Sequence, residues 1–227
     1  LNEYAKDEFE LSASTAFNYS SLLEFEQLFY TYPNFKLVDL NYSENQNFKL
    51  LKNFVKKFPK IKLELMVNET CLKNCPSRIT HLSEYTFNRF SCSKYIEYLS
   101  SIMYIFKRST VYPWDIEYYS AVGVNSFKFI AYGNIIEPHN NRDNYHDISA
   151  LRTYLNYIEN KNDNIPAKDF LDISALGHYR PKLLNSLHNI TLSEYKKYLP
   201  DIKYFVEHGH ECATKCGVEC SYCYECA

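Results

Sequence analysis

Glycine is scarce in this chain, which contains only 5 glycines among 227 residues. Phosphate-binding loops of the Walker and GxGxxG types need glycine where the backbone approaches a phosphate closely, and neither pattern occurs. The HExxH signature of zinc peptidases and the GxSxG signature of α/β-hydrolases are also missing. The sequence therefore lacks the commonest nucleotide-binding motifs and the best-known motifs of two hydrolase classes.

Strong net charge and long apolar runs are absent as well. The formal net charge is -2 and the sequence pI is near 6.4; both argue against broad charge-driven binding to nucleic acid or membranes, although a local basic groove stays open. No apolar run approaches the roughly 18 residues that a spanning helix needs, and no secretory signal is visible. We therefore expect a cytoplasmic protein without a membrane span. The chain begins at Leu1 rather than Met, which leaves a preceding segment open.

The chain alternates between two hydrophobic periodicities. Apolar residues at every second position predict strands, whereas an apolar face at helical spacing predicts helices. Ser20 precedes the first helical segment and is a typical capping residue. The resulting β-α-β-α-β series, with about 26 residues per unit, indicates a parallel sheet or barrel. The predicted strands are 9–13, 35–40, 61–67 and 126–131, and the predicted helices are 22–29, 47–58, 95–106 and 113–122, followed by mainly helical sequence from 147.

The number of strands suggests an incomplete barrel. Four strands make half of an eight-stranded barrel, and a complete barrel usually takes about 250 residues. We therefore expect an α/β fold with a partial or truncated TIM-like (β/α) barrel, either the later portion of a longer barrel or a reduced one. The predicted organisation is a barrel portion over 1–133, a mainly helical extension over 134–207 and a cysteine-rich metal-binding tail over 208–227.

Cysteine is abundant, with 8 residues in two groups. Thiolates two to four residues apart converge readily on one metal centre, whereas so short a loop strains the geometry of a disulfide. The second group has this spacing throughout, and the two groups together suffice for two four-cysteine sites. The first group follows the third predicted strand and contains Cys71, Cys75 and Cys92; the second contains Cys212, Cys216, Cys220, Cys223 and Cys226.

Spacing alone does not fix the metal or the number of sites. A single cluster with spare cysteines is one alternative, and a Cys–His site that recruits His208 or His210 is another. Zinc and an iron–sulfur cluster both suit ligation by thiolates. The spacing of Cys216, Cys220 and Cys223 also occurs in radical S-adenosylmethionine enzymes, but there the motif follows the first barrel strand rather than the last helical segment.

Four blocks of sequence carry a family resemblance. They are FELSASTAFNY at 9–19, LELMVNETC at 63–71, NRFSC at 88–92 and GVNSFKF at 123–129. In this order they resemble a strand with its Asn-containing loop, a strand that ends in a loop cysteine, an Asn-Arg-Gly-x-Cys segment and a Gly-Val-x-Ser-Phe-Lys strand. These are blocks of the collagenase-like peptidase family (peptidase family U, number 32), and the resemblance spans 8–133.

The resemblance implies a TIM-barrel-like protein that binds a [4Fe-4S] cluster through four cysteines. Cys71 and Cys92 match ligand positions of the family, whereas Cys75 lies nearer to Cys71 than the family's second cysteine does. Some members take part in oxygen-independent hydroxylation of RNA bases or of the ubiquinone ring, and others are classed as peptidases. Phe90 replaces the family's usual glycine, so the resemblance implies a divergent member.

Polar residues beside the first cysteine group are candidates for substrate binding. Asn68 closes the third predicted strand, and Arg78 and His81 follow Cys75 in the loop. Loops at the carboxyl ends of parallel strands carry the chemistry of barrels and open sheets, so we expect the substrate there. The expected substrate is RNA, a peptide or a small aromatic molecule, with an electron donor or a partner subunit. Lys128 points inward or outward depending on the register of its strand, and an outward, solvated side chain is the default expectation.

The leading hypothesis is a cytoplasmic iron–sulfur protein with one or two [4Fe-4S] clusters that performs an oxygen-independent tailoring or hydroxylation reaction. A zinc-stabilised interaction module and a secreted protein held by disulfides are the alternatives. A peptidase follows from the resemblance only, because the sequence presents no identifiable pair of nucleophile and base.

Overall fold

The computed structural model describes four stretches of the chain, 10–68, 110–129, 149–167 and 190–208. Both cysteine groups lie outside these stretches, as do Arg78 and His81. The predicted helix at 95–106 also falls outside them, so it stays a prediction.

A four-stranded parallel sheet forms the centre of the fold. Its strands lie side by side in chain order, so each strand neighbours the next one described along the sequence. Val38 is opposite Leu63, and Leu65 is opposite Phe127. The predicted α/β class with a parallel sheet is confirmed. The strands are β1 (Leu11–Ala13), β2 (Phe35–Asp39), β3 (Lys62–Met66) and β4 (Ser126–Lys128).

Six α-helices lie within the described residues. Two of them begin with a reciprocal capping box, formed by Ser21 with Glu24 and by Thr191 with Glu194. The prediction of Ser20 as the first cap was wrong by one residue, because Ser21 supplies the side-chain oxygen that accepts the Glu24 amide. The helices are α1 (Leu22–Thr31), α2 (Phe48–Lys57), α3 (Ile116–Ala121), α4 (Ser149–Asn160), α5 (Leu192–Lys196) and α6 (Ile202–His208).

The two faces of the sheet differ in chemistry because side chains alternate along a strand. On one face, Leu63 and Leu65 are fully buried in a core that includes Phe25 of α1 and Phe54 of α2, whose rings meet edge to face at 4.9 Å. The other face, here called the polar face, carries charged and hydroxyl side chains. They are Asp39, Glu64, Ser126 and Lys128.

The C-terminal helices pack onto the same core. Tyr154 of α4 is buried, and its hydroxyl donates to the Val111 carbonyl at 3.1 Å. Phe205 of α6 is buried with the residues of the sheet, and Lys52 of α2 donates to the Val206 carbonyl at 3.0 Å. These contacts join the described C-terminal stretches to the sheet. Within the described ranges, no helix is long and apolar enough to cross a membrane.

A turn between α3 and β4 depends on glycine. Gly123 has a φ of +98°, a conformation that residues with a Cβ rarely adopt, and a Cβ there would come within 2.8 Å of Val55. The turn delivers Asn125 to the start of β3, where its Oδ1 accepts from the Leu63 amide at 2.8 Å and its own amide donates to the Leu63 carbonyl at 2.9 Å. These two hydrogen bonds between Asn125 and Leu63 fix β4 beside β3.

Candidate functional site

The carboxyl ends of the four parallel strands meet at one edge of the sheet, here called the carboxyl edge. Each strand contributes a polar residue at or just after its end: Thr15 after β1, Asp39 at the end of β2, Asn68 after β3 and Lys128 at the end of β4. In β/α proteins this edge is where ligands and catalytic groups are placed. The carboxyl edge is therefore the candidate site in the described part of the chain.

An ion pair between Asp39 and Lys128 crosses the polar face at this edge. Lys128 Nζ lies 2.9 Å from Asp39 Oδ2, although β3 separates their two strands. The Asp39 side chain is 0% exposed, whereas the Lys128 side chain is 44% exposed. Lys128 is exposed, as expected, but a buried carboxylate holds its ammonium group over the sheet, which the sequence did not predict.

Burial dominates the electrostatics of Asp39. Removal from water raises the pKa of this carboxyl above its ordinary value, and the negative charge of Glu64 acts in the same direction. The Lys128 ammonium and the backbone amide of Thr15 oppose the shift by favouring the charged form. Lys128 is thus the group that stabilises a carboxylate in a position where burial disfavours charge.

Two buried polar atoms beside this ion pair are unsatisfied. Asp39 Oδ1 and Thr15 Oγ1 make no hydrogen bond within the described residues, and the two residues are only 3% and 5% exposed, respectively. Most buried polar atoms in proteins have a partner, and leaving one without a partner costs about 1–3 kcal/mol. The carboxyl edge therefore contains one acceptor and one hydroxyl that are closed off from solvent and make no hydrogen bond within the described residues.

The loop after β2 is held rigidly by its own polar side chains. Asn41 Oδ1 accepts from the Ser43 amide at 3.0 Å, and Asn47 Nδ2 donates to Glu44 Oε2 at 2.7 Å. Asn45 Nδ2 donates to the Met66 carbonyl at the end of β3, at 2.7 Å. This loop therefore braces the carboxyl edge across two strands, which limits how far its groups can move.

Asn68 is the one predicted site residue within the described stretches. It is buried at the carboxyl edge, directly after Val67, whose amide donates to the Lys128 carbonyl and whose carbonyl accepts from the Val111 amide, each at 3.0 Å. The position at the end of β3 agrees with the sequence-based expectation. Its role in substrate binding stays a prediction.

No metal centre forms among the described residues. No group of three or more His, Cys, Asp or Glu side chains in these stretches is arranged to hold a metal ion. The predicted ligands lie outside the described residues, so their fit to a metal is judged from the chemistry of their side chains. Cysteine thiolates suit zinc and iron–sulfur clusters. These ligands are Cys71, Cys75, Cys92, Cys212, Cys216, Cys220, Cys223 and Cys226.

A second cluster of polar and aromatic groups surrounds Lys196 of α5. Its Nζ lies 4.5 Å from the ring centre of Trp114 and 4.7 Å from that of Tyr157. The same ammonium lies 2.6 Å from Asp163 Oδ1, which also accepts from the Tyr157 hydroxyl at 2.8 Å. Both rings and the carboxylate are already engaged by Lys196, so this cluster acts as a clamp between α4, α5 and the segment before α3.

Asp115 precedes α3 close to this clamp. Burial and, to a smaller extent, the negative charge of Asp201 raise the pKa of its carboxyl, the positive charge of Lys196 lowers it, and the net pKa is about 7. The side chain makes no capping hydrogen bond to α3. Asp115 is therefore a titrating group without a structural hydrogen bond to the helix that it precedes.

Sequence reasoning missed Asp39, Thr15 and the pairing of Lys128. The available signal was a charged residue at the end of a strand, as in FKLVD and SFK, where the alternation of side chains places it opposite the helix-covered face.

Comparison of the chain with protein-family models, with curated proteins and with solved structures gives no match. The resemblance to collagenase-like peptidases therefore rests on the four sequence blocks alone.

Proposed function

We propose that this chain is an iron–sulfur protein in which the two cysteine groups bind one or two [4Fe-4S] clusters near the carboxyl edge. The observation that carries the proposal is the position of Asn68, which is buried at this edge three residues before Cys71. A loop that starts there begins at the edge where β/α proteins place their chemistry. The thiolate spacing supplies the donor chemistry.

The second cysteine group follows α6. That helix ends at His208, four residues before Cys212, and Phe205 anchors it in the core beside α2. The segments that lead into both cysteine groups thus start from one packed unit. This supports a shared set of eight thiolate ligands, in which one cysteine of the second group is the fourth ligand of the site formed by the first group.

The proposed fold is a portion of a TIM-like (β/α) barrel. Two observations support it: the strands follow one another in chain order, and the described helices that contact the sheet pack against its apolar face. Both are properties of barrels, whose inner face lies away from the helices. The polar face would then be part of the barrel interior.

The proposed activity is an oxygen-independent tailoring or hydroxylation reaction in the cytoplasm. An iron–sulfur cluster supplies electron transfer when fully ligated, or a site for an oxygen-bearing substrate when one iron is open. The chain's own residues would bind and orient the substrate, through Asn68 at the carboxyl edge and Arg78 and His81 in the loop that follows. The expected substrate is RNA, a peptide or a small aromatic molecule, and electrons would come from a partner protein.

Cysteine variants test this proposal. Iron and acid-labile sulfide are measured on the protein purified without oxygen, then on Cys71→Ser, Cys92→Ser and Cys220→Ser. Each variant is expected to lose iron, whereas Ser91→Ala, which changes the neighbour of Cys92, is expected to keep it. Iron bound equally well by all three cysteine variants would contradict the assignment.

The same preparations separate the alternatives. A colourless protein that holds only zinc would instead establish a zinc-stabilised interaction module. Cysteines that are all oxidised in pairs would indicate a disulfide-bonded protein. Peptide cleavage that survives replacement of every cysteine would favour a peptidase.

A further inference from the structure

The opposite edge of the sheet, where the parallel strands begin, carries a concentration of lysines. This edge, here called the amino edge, comprises Glu10 before β1 and the segments 30–36, 56–62 and 122–126, which lead into β2, β3 and β4. Glu10 is the only side-chain carboxylate among these described residues, although the whole chain has a formal net charge of -2. The lysines of the amino edge are Lys36, Lys56, Lys57, Lys60 and Lys62.

The fold uses only one of these ammonium groups. Lys57 pairs with Glu26 of α1, whereas the other four lysines are exposed and make no hydrogen bond or ion pair within the described residues. Leu37 lies opposite Lys62 in the register of β2 and β3. Because side chains alternate along a strand, Lys36 and Lys62 leave the sheet on opposite faces, so the positive charge wraps around the edge. Such a patch attracts an anionic partner.

Two exposed tyrosines lie among these lysines. Tyr30 in the last turn of α1 is 92% exposed, and Tyr32, which follows that helix as its C-cap, is 44% exposed. The rings of Phe29 and Phe58 meet with centres 4.9 Å apart, so the end of α1 lies beside the end of α2, which carries Lys56. Exposed rings among cations are typical of surfaces that bind single-stranded nucleic acid, where bases stack on the rings and cations contact the phosphates.

We infer that the amino edge binds single-stranded nucleic acid through its phosphate backbone, with bases stacked on Tyr30 and Tyr32. Its described segments contain lysine and no arginine. A lysine ammonium contacts phosphate as a point charge, whereas base edges are read mainly by bidentate side chains. The binding is therefore independent of base sequence.

Other polyanions fit this surface less well. A surface that binds anionic membranes presents aliphatic, Trp or Phe side chains for insertion beside its cations. The exposed Leu23 does not serve this purpose, because it lies in the first turn of α1, at the other end of that helix. An acidic protein would neutralise the lysines but does not require a ring as exposed as that of Tyr30.

The inference goes beyond the proposed function and does not rest on the cysteines. The amino edge lies one strand length away from the carboxyl edge, which is roughly 17 Å for the five residues of β2. It is therefore a docking surface separate from the place where we put the chemistry, and a strand of RNA is long enough to reach both edges.

Fluorescence anisotropy with the 227-residue chain tests the inference. The probes are labelled oligouridylate and oligodeoxythymidylate of about 12 nucleotides. Both are expected to bind, and an increase in salt from about 50 mM to about 200 mM should weaken binding roughly 50-fold if four phosphates are contacted. Polyglutamate and vesicles of phosphatidylserine with phosphatidylcholine are the competitors. No binding of either oligonucleotide at the lower salt, or equally tight binding of polyglutamate or the vesicles, would overturn the inference.

Variants locate the binding at the amino edge. Lys56→Gln combined with Lys60→Gln removes two charges that no described contact uses, and Tyr30→Ala removes the most exposed ring. Each variant is expected to weaken oligonucleotide binding about tenfold. Unchanged binding by Tyr30→Ala would replace the nucleic acid with a general polyanion, and unchanged binding by the lysine variant would remove the amino edge from consideration.

Matched substitutions elsewhere provide the controls. Lys197→Gln combined with Lys203→Gln, and Tyr198→Ala, make the same kinds of change at exposed positions after the Lys196 clamp. Oligonucleotide binding is expected to stay the same in both, and an equal loss there would contradict the assignment to the amino edge. Circular dichroism checks the folding of every variant, and iron content measured on the same samples reports on the clusters separately.

Discussion

Asp39 and Lys128 are 89 residues apart in the chain, yet the Lys128 ammonium lies 2.9 Å from the Asp39 carboxylate. The contact bridges β2 and β4 across β3, and Asp39 is completely buried while Lys128 reaches solvent. It therefore links the ends of two strands at the edge where we place the site.

Loss of the Lys128 charge is expected to destabilise the fold. In Lys128→Met the buried Asp39 carboxylate keeps no counter-ion, so the free energy of unfolding at pH 7 should fall by about 1–3 kcal/mol. Burial already raises the pKa of Asp39, so protonation at lower pH should reduce this loss. Urea denaturation at neutral and acidic pH measures both effects.

A second substitution provides the control for this pair. The double variant Asp39→Asn with Lys128→Met should recover part of the lost stability, because the uncompensated charge is gone. Lys62→Gln, an exposed change on the same face, should remain within about 0.5 kcal/mol of the parent protein. Additive effects of the two single substitutions would show that the contact contributes nothing.

The Lys196 clamp is expected to stabilise the C-terminal helices. Lys196→Gln removes a cation from between Trp114 and Tyr157 and from Asp163, so unfolding should become easier by about 1–2 kcal/mol. Trp114 is the only tryptophan in the chain, so its fluorescence during urea denaturation reports on this region directly. The neighbouring exposed Lys197→Gln serves as the control and should change stability little; an equal loss in both variants would argue against the clamp.

Asp115 should make stability depend on pH. Burial raises the pKa of its carboxyl to about 7 in the folded protein, whereas the unfolded chain has the ordinary value of about 4. The neutral form therefore stabilises the fold fully at pH values below about 4, and this contribution is lost as pH rises toward 7.

Comparison with Asp115→Asn isolates this contribution. The variant keeps a neutral side chain at all pH values, so its stability relative to the parent should increase between pH 5 and pH 8, by roughly 2 kcal/mol. Asp201→Asn removes the repelling charge and should give a smaller change in the same direction. A difference between parent and variant that is constant over this pH range would contradict the account.

Two adjacent serines precede α1, and only Ser21 caps the helix with its side chain. Ser21→Ala removes the oxygen that accepts the Glu24 amide and should cost about 1 kcal/mol of unfolding free energy. Ser20 contributes only its backbone amide to Glu24, so Ser20→Ala should cost much less. Thermal denaturation of the two variants distinguishes them, and a larger effect at Ser20 would restore the sequence-based assignment.

Hydrophobic periodicity predicted most of the sheet. The segments 35–40 and 61–67 became β2 (Phe35–Asp39) and β3 (Lys62–Met66), because short-range alternation reflects the burial of one face and local sequence suffices to reveal it. The predicted N-cap of the first helix was off by one residue. Ser20 and Ser21 are the same residue type and cap a helix equally well, so only the backbone angles of Ser21 decide between them.

The candidate site was harder to predict from sequence. Nothing local to Asp39 indicates that its partner is Lys128, because the contact depends on strand order and register. Asn68 was identified because a strand end can be read from the sequence. The unsatisfied hydroxyl of Thr15 follows from burial, which depends on the whole fold rather than on neighbouring residues.

The iron and acid-labile sulfide content of the 227-residue chain, after purification and reconstitution without oxygen, decides whether its cysteines hold iron–sulfur clusters. We expect about four iron atoms and about four sulfides per chain for one cluster, or about eight of each for two, together with a visible absorption that bleaches on reduction. Zinc bound by the thiolates without sulfide, or no bound metal with all eight thiols reactive, would contradict it.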